Sequence, residues 1–137
     1  MEKRLADRDI GEKYSYPGRR LITATDLDMF CNVTGMRGDV FLSDEAARAF
    51  GMKARVLPGA MSLAIVFSLL GEFLQATIFT GLNNLRLMAP VHPGDRLTAE
   101  AEVLGKKETS KGDRVFVTYS WVLKNQDDVA VAQGENT

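Results

Sequence analysis

The stretch from Leu57 to Gly71 constrains this chain more than any other. It opens on Pro58-Gly59 and continues as Ala60-Met61-Ser62-Leu63-Ala64-Ile65-Val66-Phe67-Ser68-Leu69-Leu70, apolar on every side for about four helical turns. A helix that is apolar all round must be enveloped, either by lipid or by a sheet that wraps it. The uncharged interval between Arg55 and Glu72 falls short of the ~18–20 residues that a membrane span needs. It also carries Pro58, two glycines and two serines. Strand patterns follow it, and strands with one apolar face need a partner surface. The expectation is therefore a helix wrapped by protein, with no membrane association.

The strands are read from period-two alternation. Leu85, Leu87, Ala89 and Val91 alternate with Arg86 and Met88 in the run 82–91. Leu97, Ala99, Ala101 and Val103 share one face of the run 96–104, with Thr98, Glu100 and Glu102 on the other. Residues 105–112 read as a polar hairpin loop. Val115, Val117, Tyr119, Trp121 and Leu123 follow on one face, although one of the two large aromatics, Tyr119 or Trp121, is expected to cover the outer sheet face or a subunit contact. A turn at 125–128 leads to a last strand starting at Val129. Before the apolar stretch, residues 13–22 read as a strand broken at Pro17-Gly18. Thr23 to Asp26 reads as a capping-box helix start, with Leu27, Phe30 and Cys31 on its inner face and Gly35 as its stop. Residues 36–42 read as loop, and Ser43 caps a second helix that ends at Gly51. This pattern predicts an α+β fold: one antiparallel sheet curved around one central apolar helix, as a single domain over 1–137. Its free sheet edges invite pairing with a second copy.

Composition narrows the function. The chain is 45% hydrophobic and 26% charged, with a formal net charge of −1, which leaves no basic footprint for nucleic acid. The one cysteine, Cys31, cannot form an internal disulfide, and the N-terminal residues lack an apolar signal segment, so a reducing cytoplasm is expected. One histidine and one cysteine make no metal cluster, so neither a metal nor a cofactor is expected. His92, between Val91 and Pro93, is expected at the surface.

Several residues carry a resemblance to a known family. The capped helix up to Thr34, the helix Ser43–Gly51 with Ala47, the Pro58-Gly59 opening, Phe67-Ser68-Leu69-Leu70-Gly71, and Leu87-Met88-Ala89-Pro90-Val91-His92-Pro93-Gly94-Asp95-Arg96-Leu97 occur in an order that resembles the hotdog fold. More narrowly, the chain is similar to MaoC-like dehydratases and (R)-specific enoyl-CoA hydratases of fatty-acid metabolism. In that family a loop of the form Gly-Asp-x-Asn-Pro-x-His supplies an Asp and a His that activate water. Backbone N–H groups at the start of the central helix hold the thioester oxygen. On this chain the loop reads Gly35-Met36-Arg37-Gly38-Asp39-Val40-Phe41. The Asp position holds Met36 and the His position Phe41, neither of which transfers protons.

The resemblance thus implies a scaffold for an acyl-CoA or acyl-carrier-protein thioester, with hydratase activity lost or much reduced. Met36, Phe41, Leu57, Pro58, Gly59, Ala60 and Ser68 are its expected substrate-binding residues. Asp39 is a weak candidate base. Ser68 matches a family serine and either faces the acyl tunnel or bonds back to its own helix. A homodimer or higher oligomer is expected. The alternatives are an active hydratase, dehydratase or acyl-CoA thioesterase using non-standard residues, and a non-catalytic subunit of a hetero-oligomeric enzyme. Glu72, the one carboxylate near the central helix, lies at its far end and argues against the thioesterase.

Overall fold

The computed structural model describes residues 3–137. A short 3-10 turn at Leu5–Asp7 precedes strands β1 (Lys13–Ser15) and β2 (Arg20–Leu21) and helices α1 (Ala24–Thr34), α2 (Asp39–Leu42), α3 (Asp44–Ala49) and α4 (Gly59–Leu69). Strands β3 (Leu82–Leu87), β4 (Arg96–Glu108), β5 (Val115–Lys124) and β6 (Ala130–Asn136) follow. The strands form one antiparallel sheet in the order β1-β4-β5-β6-β3, with β2 also paired to β4.

The inner sheet face is built as the alternation requires. Leu97, Ala99, Ala101 and Val103 of β4 and Val117, Tyr119, Trp121 and Leu123 of β5 are buried in one cluster with Met61, Ile65, Val66 and Leu69 of α4. Tyr119 and Trp121 both belong to this core, contrary to the expected division, because residues two apart on a strand share a face. Their polar ends meet on Asn136. The Trp121 indole N–H donates to Asn136 Oδ1 at 3.1 Å, and Asn136 Nδ2 donates to the Tyr119 hydroxyl at 3.1 Å. A buried polar group costs little once so paired. Desolvation raises the Tyr119 phenol above its ordinary range.

α1 starts as its sequence dictates. The Thr23 hydroxyl accepts from the Asp26 N–H at 3.1 Å and the Asp26 carboxylate accepts from the Thr23 N–H at 2.8 Å, while Gly35 ends the helix at φ +74°. Other expectations change. Residues 39–42 form the one-turn helix α2 rather than loop, entered through Gly38. β4 runs on to Glu108, into the expected hairpin loop, because a bulge between Val103 and Gly105 resets its register against β5. The apolar residues that alternate in the run 82–91 are not buried where they fall on β3: Leu85 and Leu87 are exposed on this edge strand.

The central helix is also not enclosed on every side. Met61, Ser62, Ile65, Val66 and Leu69 pack inward, whereas Ala60, Ala64 and Ser68 form an outward stripe of small residues. No helix among the described residues is long and apolar enough to cross a membrane.

Candidate functional site

Two concave surfaces flank α4. The first lies at its N-terminus. Pro58 stands at the cap position and offers no side-chain hydrogen bond. The Met61 and Ser62 N–H groups both turn back to the Pro58 carbonyl, at 3.0 and 3.3 Å. The Gly59 and Ala60 N–H groups have no backbone acceptor among the described residues. These two donors, at the positive end of the helix dipole, suit a partial negative charge on oxygen. Beside them is a cavity of about 290 Å³ lined by Leu57, Gly59, Ser62, Leu87, Val91 and neighbours. Among its lining residues only Ser62 has a polar side chain, and Ser62 is 5% exposed. Glycine at 59 answers a close approach: a Cβ there would lie 2.5 Å from Leu87 Cδ1.

The second surface is a groove of about 400 Å³ between α1 and α4, where Phe30 and Val33 face Met61 and Ile65. Ser68 lies in it. Its hydroxyl accepts from Arg20 Nη1 at 2.5 Å, so it is engaged across the groove and not with the carbonyl one turn back.

The loop residues are placed differently. Met36 is half-buried just past α1, its N–H donating to Thr34 Oγ1 at 3.3 Å. Phe41 is half-buried on α2 and packs against the main core. Asp39 is exposed at the first residue of α2. The structure therefore gathers Leu57 and Gly59 around one cavity and places Ser68 in the groove. Met36 and Phe41 line neither surface.

Arg55, which the sequence reading passed over, ties this region together. Its Nε donates to the Phe41 carbonyl at 3.0 Å, its Nη2 bonds the Asp28 carboxylate, and its own N–H donates to Asp44 Oδ1 at 2.9 Å. Its carbonyl accepts from His92 Nδ1 at 2.8 Å, which makes Nδ1 the protonated nitrogen. His92 is buried, against expectation, because this bond and the one from its N–H to Asp95 Oδ2 at 2.9 Å hold it under the Pro93-Gly94 turn. The aspartate three residues after His92 was the available signal. For Ser62, the signal was a polar residue one turn into an otherwise apolar helix.

Comparison with known proteins fits this architecture. Residues 6–125 match the MaoC like domain, so the chain belongs to the MaoC-like domain family, whose solved members share the hotdog fold. It is 32% identical over 108 residues to mesaconyl-CoA hydratase of Cereibacter sphaeroides, covering 77% of this chain but 32% of that protein. The chain thus spans about a third of that relative's length. Among solved structures, R-hydratase PhaJ1 from Pseudomonas aeruginosa is 31% identical at a TM-score of 0.77, covering 97% of this chain and 82% of that one. The monoamine oxidase regulatory protein from Archaeoglobus fulgidus is 25% identical at a TM-score of 0.87, covering 98% and 91%.

Proposed function

We propose that this protein binds an acyl thioester at the N-terminus of α4 and hydrates it slowly or not at all. The observation that carries the reading is an uncapped helix start, with the Gly59 and Ala60 N–H groups lacking a backbone acceptor among the described residues and lying beside an apolar cavity. The family resemblance adds to it, because it sets Met36 and Phe41 against the positions of the family's proton-transfer residues. The two N–H groups hydrogen-bond and polarise the thioester oxygen. The acyl chain is held by apolar burial along α4. Hydration needs in addition a base to take a proton from water and an acid to return one to carbon. Asp39, the nearest carboxylate in sequence, is exposed and projects from the start of a one-turn helix, which favours a solvated role.

The hydratase and CoA-thioester names of the relatives support the ligand class, with CoA or a carrier protein as the thiol portion. A homodimer is proposed from the exposed apolar edge of β3. The unpaired, buried Cys31 suits a reducing cytoplasm. The test is a calorimetric titration with crotonyl-, hexanoyl- and octanoyl-CoA. Saturable binding of at least one is expected. No heat and no thermal shift with any of them contradicts the proposal.

A further inference from the structure

We propose that the groove between α1 and α4 reads a carboxylate at the far end of the acyl chain, so that the preferred ligand is a thioester of a medium-chain dicarboxylic acid. This rests on the reading that the thioester end lies at Gly59. The groove's walls are apolar over Phe30, Met61 and Ile65, yet its distal end carries a guanidinium. Arg20 is held there by two contacts. Its Nη1 donates to Ser68 Oγ at 2.5 Å, and its guanidinium carbon lies 5.8 Å from the centroid of the Tyr16 ring.

Arg20 has no carboxylate counter-ion among the described residues, a condition it shares with Arg37, Arg48, Arg86, Arg96 and Arg114, but of these arginines it alone lines this groove. Asp26, the acidic residue lining the same groove, is committed to the cap of α1, its carboxylate accepting from the Thr23 N–H at 2.8 Å. An arginine has five N–H donors, and the bond to Ser68 uses one. The Ser68 hydroxyl accepts that bond and keeps its own proton to donate. Two donors of different kinds thus converge at the end of an apolar run, which suits a carboxylate and leaves a terminal methyl group against an undercompensated charge. Asp26 repels an anion on its own side, which places the carboxylate on the Arg20–Ser68 side.

The helix sets the length. Ala60, Ala64 and Ser68 lie on one face of α4, and the step from the Ala60 N–H end to Ser68 is about 12 Å at the helical rise. A short diacid cannot bridge that distance, whereas a medium-chain one can.

The experiment compares octanoyl-CoA with suberyl-CoA, its analogue ending in a carboxylate, by calorimetry on the intact protein. Suberyl-CoA is expected to bind about ten times more tightly or better, in keeping with a charge-assisted hydrogen bond. Arg20→Gln is expected to erase the preference, and Ser68→Ala to reduce it several-fold. Ser68→Ala serves on its own if the Arg20 variant does not fold. Equal or tighter binding of octanoyl-CoA by the wild type overturns the inference while leaving the thioester reading in place. A preference that survives Arg20→Gln, or Ser68→Ala where that variant stands alone, likewise overturns it. Binding of neither ligand overturns both.

Discussion

At the scale of single residues, Gly59 separates packing from binding. Its missing side chain admits Leu87, whose exposed, flexible end can move aside. Gly59→Ala therefore trades a small clash against a helix-propensity gain that is modest at the first residue of a helix. Thermal melts are expected to show little change in stability, while acyl-CoA titrations show weakened binding as Leu87 is driven over the free N–H groups. Glu12 gives a second expectation at this scale. Hydrogen bonds from Lys3 and then Arg8 lower its carboxyl from 4.5 to about 2. A carboxyl depressed in the folded state stabilises fully above its unfolded pKa, and that contribution is lost as the pH falls from about 4.5 through about 2. An NMR titration of the Glu12 side chain should find its midpoint near the lower end of that window. The lone histidine illustrates what single residues hide: Val91-His92-Pro93 reads as a surface turn, and the distant Arg55 carbonyl, brought in by the fold, joins the local Asp95 carboxylate in holding it inside.

At the scale of elements, the segments ahead of the central helix depend on Arg55. One guanidinium bonds α1 through Asp28 and α2 through the Phe41 carbonyl, and the Arg55 backbone bonds α3 through Asp44. Arg55→Ala is expected to cost about 2 kcal/mol in urea unfolding, the value of losing hydrogen bonds from a charged donor. Local signals predicted the elements well where they were self-sufficient. The capping box at Thr23 and the alternation in β4 and β5 needed no distant partner. They failed where a tertiary contact decided the outcome. α2 is a single turn, too short to show a period, and the bulge at Gly105 that extends β4 exists only against β5. The candidate site was legible in part for the same reason. Pro58 and Gly59 mark a helix start locally, but the pairing of Arg20 with Ser68 spans 48 positions in sequence.

At the scale of the whole molecule, the apolar helix that opened the argument is half-covered. The sheet takes one face, and a stripe of alanines and Ser68 stays open on the side of the α1 groove, while the edge strand β3 lies at the other end of the sheet. Leu85, Leu87 and Met88 are exposed along the β3 edge, with Ile78 and Phe79 leading into it. An unpaired edge with apolar side chains is a template for a second strand. Sedimentation is expected to give a dimer, and Leu85→Lys to shift it toward monomer.

The central claim is that this MaoC-like scaffold holds an acyl thioester without the groups to hydrate it. The initial rate of crotonyl-CoA hydration by the wild type, measured in the same sample in which binding is shown to saturate, tests it most directly. Saturable binding with a hydration rate near the uncatalysed background is predicted. Turnover in the ordinary enzyme range, about 1 per second or faster, would contradict it.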